Sequence, residues 1–169
     1  MAARAGTSRT RLSAYEHGRT DPGLVTLQRI AAAAGLEIAA VPSGTARVRD
    51  RIVEIGRAVA VSGRSPAVRL VAELVAWVRD GVVSVDVMTT DPGTTGSPEW
   101  DAVVAGVVEM LAHELGTRVP SWTAAPSRRL EDPWFVTSLR SLWPEVLADT
   151  PAPLAARNVF LSASSLRSV

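Results

Sequence analysis

The chain is expected to fold as a mostly all-α protein, and three observations lead there. Apolar residues recur every three or four positions over long stretches, at Val48, Ile52, Ile55 and Val59 and then at Val68, Val71, Leu74, Val75 and Val78, the period of a helix with one buried face. Glycines stand where such stretches end, at Gly18, Gly35 and Gly116, as helix C-termini require. The strand-like alternation is confined to residues 82–87, so one or two short strands at most are anticipated.

Composition bounds the rest. At 169 residues and 47% apolar content the chain holds one ordinary domain or two small ones, and two units are expected. With no cysteine there is neither a disulfide framework nor a thiolate metal site, which fits a reducing cytoplasm. Apolar runs such as residues 58–61 are far shorter than the roughly 20 residues of a membrane span, and the first residues lack a signal-peptide core, so a cytoplasmic protein without membrane contact is expected. All 18 basic residues are arginine, a bias that a GC-rich genome explains more simply than a selected binding chemistry. Charge is uneven: residues 1–36 carry five arginines against Glu16 and Asp21, whereas residues 99–169 carry six arginines against eight acids.

Taken in order, residues 2–5 read as a helix tail closed by Gly6, and Thr7 or Ser8 supplies an N-cap hydroxyl for the next helix. On that helix Leu12 and Tyr15 share a face that can pack inward, leaving Arg9, Thr10, Ser13 and Ala14 outward. Gly18 closes it. Asp21-Pro22 then gives an N-cap and first-turn proline for a helix whose stripe is Leu24, Leu27, Ile30, Ala31 and Ala34.

The spacing of these residues from Gly6 to Leu36, with Tyr15-Glu16-His17-Gly18 as a hydrophobic-Glu-x-Gly signature, resembles the DNA-reading half of the lambda-repressor-like (XRE family) helix-turn-helix domain. The resemblance covers about residues 2–41 and implies double-stranded operator DNA as partner, bound by a homodimer. It implies that Arg9, Thr10, Ser13 and Ala14 read base edges in the major groove, Arg9 through a bidentate contact to guanine. Ser8, Arg11, His17 and Arg19 would hold phosphates and set register. In that family helix 1 and most of helix 2 precede the residue aligned with Ala2. An N-terminally truncated domain is therefore expected, either because Met1 is a misplaced start within a longer protein or because a shortened chain keeps partner binding and no longer holds DNA.

Residues 41–45 break the pattern and mark a boundary, giving expected segments of 1–41 for the partial helix-turn-helix, 42–96 for a helical linker or dimerisation segment with a mobile loop at 81–96, and 97–169 for a helical partner-binding or regulatory domain. Arg47, Asp50, Arg51 and Glu54 read as a solvated helix face, with a dimer seam as the alternative. Ser97-Pro98-Glu99 opens a helix with a stripe of Trp100, Val103, Val104, Val107, Val108, Leu111 and Leu115. His113-Glu114 on it is not the start of a zinc motif, because Thr117 stands where HExxH needs histidine.

The last fifty residues are dense in aromatic and arginine anchors, which serve interfaces and small cores alike. Their series resembles the C-terminal region of actinobacterial XRE-type proteins associated with toxin–antitoxin pairs, some beside nucleotidyltransferase-like toxins. That resemblance implies a cognate toxin as second partner and points to Trp122, Arg129, Trp134, Phe135 and Arg157 as residues that grip it or shape the surface that does. No nucleophile–base pair, carboxylate pair, phosphate loop or metal cluster is found, so no enzyme activity, cofactor or metal is expected. The function expected is sequence-specific transcriptional regulation as an antitoxin or autorepressor, with a truncated toxin-binding protein as the alternative.

Overall fold

The computed structural model describes residues 6–38 and 44–167. The expected helix tail at 2–5 and part of the expected boundary, residues 41–43, lie outside the described residues. Two compact units are present, Met1–Val41 and Pro42–Val169. The fold is mostly α, with one two-stranded sheet of two residues per strand.

Unit 1 holds α1 (Arg9–Glu16) and α2 (Leu24–Ala33). Ser8 caps α1, its hydroxyl oxygen accepting from the Arg11 N–H at 3.2 Å. The start of α2 differs from expectation: Gly23 is its N-cap and no side chain caps it, so Asp21 and Pro22 belong to the extended approach rather than to the helix. Neither helix has a buried residue. Leu24 is 63% exposed and Leu27 40%, so the apolar stripe of α2 meets too little of unit 1 to be covered.

Unit 2 is built from α3 (Thr45–Ser62), α4 (Arg64–Arg79), α5 (Pro98–Glu114), α6 (Trp143–Asp149) and α7 (Ala152–Ala155), with β1 (Trp134–Phe135) pairing in parallel with β2 (Val159–Phe160). The long connection between the two strands, carrying α6 and α7, is the crossover that parallel pairing demands. Helix α5 sits at the centre: residues 102–108 and 110–112 are all buried, against α4, α7 and the turns Ser121–Ala124 and Pro126–Arg128. Val48, Ile52 and Ile55 of α3 and Val71, Leu74, Val75 and Val78 of α4 join the same core, as the helical period anticipates. Leu115, the last position of the expected α5 stripe, is exposed because it is the C-cap, followed by the turn at Gly116.

The division of this region into 42–96 and 97–169 does not survive, since α3, α4 and α5 share one core. The stretch between them is packed on that core at several positions. The run at 82–87 forms no strand: residues Val85–Thr89 make a 3-10 turn capped by the Ser84 hydroxyl, and Val83, Val87 and Met88 are driven into the core. Further on, the Asp101 carboxylate gathers the Thr94 hydroxyl at 2.6 Å, the Thr95 N–H at 2.7 Å and the Thr95 hydroxyl at 2.8 Å. The Thr95 carbonyl then lies so close to α3 that a Cβ at Gly56 would be 1.9 Å from its oxygen.

The Arg47–Glu54 face is corrected at one position: Arg47, Asp50 and Glu54 are exposed as expected, and Arg51 is not. Arg51 is buried, its Nη1 donating to Glu73 Oε2 at 2.8 Å and its guanidinium lying over the Trp77 ring at 4.3 Å, with Glu54 at 3.4 Å. It joins α3 to α4 instead of facing water. Ser97 precedes α5 as expected, but its hydroxyl donates to Glu99 Oε2 at 2.6 Å instead of capping the helix.

Two carboxyls are held below the usual carboxylate range. For Glu99 the cause is the Ser97 hydroxyl, then its own backbone N–H and the nearby Arg64 charge. For Asp149 it is the Ser162 hydroxyl, then the Ser164 N–H and Arg167. A carboxyl lowered on folding adds stability above its unfolded value, near 4, and that stability is lost as the pH falls through the folded value. The urea midpoint is therefore expected to fall between pH 6 and pH 3, and by less in a Ser97→Ala, Ser162→Ala double variant; an unchanged fall in that variant contradicts the assignment. Gly56→Ala, which forces a methyl against the Thr95 carbonyl, is expected to cost about 2–3 kcal/mol in urea denaturation. A loss below about 0.5 kcal/mol would mean that the 91–96 segment does not pack on α3.

Candidate nucleic-acid interface

Successive residues of a helix advance by about 100°. From Arg9, this places Ser13, His17 and Thr10 within one arc of roughly 100°, while Leu12 and Tyr15 fall on the other side. Burial follows the same division in part. Arg9, Thr10 and His17 are exposed, and Leu12 and Tyr15 are half-buried; Ser13 and Ala14 are half-buried as well, Ala14 at the margin of the arc. Arg11 is exposed but about 200° from Arg9, so α1 does not bring it to the face that holds the other candidates. Glu16 lies about 20° from Arg9 on the opposite flank, putting one negative charge beside the candidate reader.

The end of α1 is fixed by its backbone. The Gly18 N–H donates to the Tyr15 carbonyl at 3.0 Å and the Arg19 N–H to the Ala14 carbonyl at 2.9 Å, the two bonds of a Schellman turn. Gly18 takes φ +65°, which a side chain would resist, and the turn sets the path of Arg19 directly after the helix. His17 is tied into the same end: its Nδ1 lies 2.7 Å from the Ser13 carbonyl oxygen, which can only accept, so Nδ1 is the donor in this contact. Ser8 keeps its hydroxyl hydrogen for an outside acceptor, because the cap uses only its oxygen.

Arg29 was given no role by the sequence. A Cβ at Gly6 would meet its Nη1 at 3.3 Å, so the α2 guanidinium lies beside the turn that precedes α1. Unit 1 therefore places Arg29 near one end of α1 and Arg19 at the other. The signal was a lone arginine on the polar flank of the α2 stripe, with nothing in the linear pattern to show that it reaches back past twenty residues.

With this geometry in place, residues 1–41 match a family model described as helix-turn-helix. The N-terminal unit is an XRE-like helix-turn-helix. No curated protein and no solved structure matches the chain significantly.

The five candidates in unit 2 are not gathered into one surface. The Trp122 indole N–H donates to the Met88 carbonyl at 2.9 Å, and the ring lies under the Arg128 guanidinium at 5.2 Å. Trp134 packs edge-on against buried Trp100, with centroids 5.8 Å apart, and Phe135 stacks on Trp143 at 4.1 Å and on Phe160 at 4.8 Å. Arg157 is buried and donates to Glu109 Oε2 at 2.5 Å, to the Thr123 carbonyl at 2.8 Å and to the Pro153 carbonyl at 2.7 Å. Arg129 is exposed. Four of the five thus have intramolecular work that sequence alone could not separate from an interface role. Among the described residues no cluster of three or more His, Asp or Glu side chains is placed to hold a metal, and no helix is long and apolar enough to cross a membrane.

Glu109 is about a quarter exposed, and its removal strands the Arg157 charge with only carbonyl partners. Glu109→Ala is expected to lower the unfolding free energy by about 3 kcal/mol, the lower end for a broken buried pair. A change under 1 kcal/mol in urea titration would show that the Thr123 and Pro153 carbonyls suffice.

Proposed function

We propose that this protein is a DNA-binding transcriptional regulator, the antitoxin or autorepressor of a two-gene module, acting as a homodimer on a pseudo-palindromic operator. The observation that carries the reading is the arc of α1 that holds exposed Arg9, Thr10 and His17 with half-buried Ser13, inside a segment that matches a helix-turn-helix model. Arg9 reads a guanine edge; Thr10, Ser13 and Ala14 shape the neighbouring contacts. Ser8, His17 and Arg19 fix register on phosphates, and Arg29 adds a cation to that set. Arg11, on the far side of the helix, contributes to general attraction more than to a defined contact. A unit with so few cations binds weakly alone, and two copies on one operator double the phosphate contacts and the counterions released. Binding is then the mechanism, and unit 2 dimerises or takes the second partner. Its toxin-facing surface is expected to use Arg129 and the stack of Phe135 on Trp143, a ring next in sequence to the exposed Leu142.

The uncovered stripe of α2 supports a second reading, in which unit 1 docks a protein through Leu24 and Leu27 and does not read DNA. Fluorescence anisotropy on the gene's own upstream duplex against a scrambled one separates the two. Under the regulator reading, Arg9→Ala loses about 1–3 kcal/mol of discrimination at one base pair, while Arg19→Ala weakens all sequences alike and lowers the salt slope by about one. Equal binding of both duplexes by the parent chain, unchanged by either substitution, contradicts it.

A further inference from the structure

Helices α3, α4 and α5 are the long helices of unit 2, and among the described residues their large exposed apolar side chains are both on α3: Val53, 54% exposed, and Val61, 80%. Counted around α3 at about 100° per residue, Ala46, Asp50, Val53, Arg57, Ala60 and Val61 fall within one arc of roughly 100°. All six are exposed. The arc points away from Val48, Ile52 and Ile55, which lie in the core, and it runs for about 22 Å along the helix.

Exposed valines are ordinary in themselves. What distinguishes this face is its charge pattern: it holds one acid and one base, Asp50 and Arg57, about 10 Å apart along the axis and so too far from each other to pair. Among the described residues neither has an ion-pair partner, and the neighbouring acid Glu54 already lies 3.4 Å from Arg51. Seven residues are nearly two turns, so the two charges stand in line with Val53 between them. Such a surface is complementary to itself in one orientation. When a second α3 runs antiparallel across a two-fold axis beside Val53, each Asp50 comes opposite the other copy's Arg57, and the two Val53 side chains meet at the axis. Parallel pairing would instead set acid on acid and base on base.

We propose that a second copy of this chain packs on this face, the two α3 helices running antiparallel, with Asp50–Arg57 pairs flanking a central contact between the Val53 side chains. The assignment rests on the homodimer reading given above, and it does not depend on which residues of α1 read bases. One helix from each copy makes a narrow seam, at the low end of the size range for specific complexes, so the free dimer is weak, and a duplex that holds two copies side by side raises its occupancy.

The test uses the full chain in sedimentation velocity over a concentration series, free and with the gene's upstream duplex. Asp50→Arg and Arg57→Asp each set like charges across the seam and are expected to weaken self-association about fivefold; both positions are exposed, so the variants keep the fold. The double variant Asp50→Arg, Arg57→Asp re-forms the pairs in reverse and is expected to return to within about twofold of the parent. Because the chain has no cysteine, Val53→Cys adds a single thiol, which is expected to cross-link two copies under mild oxidation. Val61→Cys is expected not to, since antiparallel pairing holds those two positions about 22 Å apart. A parent that stays monomeric in both conditions overturns the homodimer reading and the seam with it. A dimer left intact by Arg57→Asp, not restored by the double swap, or cross-linked through Val61→Cys overturns the seam while the homodimer reading stands.

Discussion

The fold of unit 2 depends on a helix with almost no side turned to water. From Ala102 to Ala112 only Glu109 of α5 escapes burial, and Leu154 of α7 packs so closely on Gly106 that a Cβ there would lie 2.7 Å from its Cδ2. A helix in this position has to be wrapped, and the shorter elements exist to wrap it: α4 on one flank, α7 and the two turns on the others. Each large apolar side chain so covered contributes roughly 1.5–3 kcal/mol, which is why short 3-10 turns and two-residue strands can persist here although none would alone.

Wrapping a buried helix with short pieces leaves backbone ends to be satisfied, and buried arginines do much of this. Arg128 gathers Asp91 and the Gly93 carbonyl, holding the segment before α5 against the turn after it. Arg157 ties the α7 turn to Glu109 and the Thr123 carbonyl, and Asn158, at φ +58°, donates its amide to the Leu130 and Glu131 carbonyls. The same arrangement that closes the core leaves Nη1 of Arg128 and Nε of Arg157 shielded and without a hydrogen-bond acceptor.

Much of this was legible in the sequence. Helices α3, α4 and α5 followed from apolar residues at three- and four-residue spacing, because that period reports a buried face whatever lies against it. Gly18 and Gly116 marked true ends, since a left-handed residue is a local requirement. Elements set by distant partners were not legible. The 82–87 run has strand composition, yet it pairs with no strand among the described residues, and Val83, Val87 and Met88 are buried around a 3-10 turn instead. Arg51 carried the pattern of a solvated arginine, and only Trp77 and Glu73 on the next helix make it a buried one. In the candidate interface the cap at Ser8 and the turn at Gly18 were readable, whereas the placement of Arg29 beside Gly6 and the separation of Arg11 from Arg9 came from helix geometry and packing.

The contrast between a wrapped α5 and an α1–α2 pair without a buried residue is the centre of the account, which expects unit 2 to hold its structure through its own core and unit 1 to be stabilised when DNA is bound. Amide hydrogen exchange on the full chain, free and with the gene's upstream duplex, tests this directly. The account predicts slow exchange for α5 over 102–112, fast exchange over 9–33 in the free chain, and protection of 9–33 when the duplex is added. Protection of α1 and α2 equal to that of α5 in the free chain, or no change in them with DNA, would contradict it.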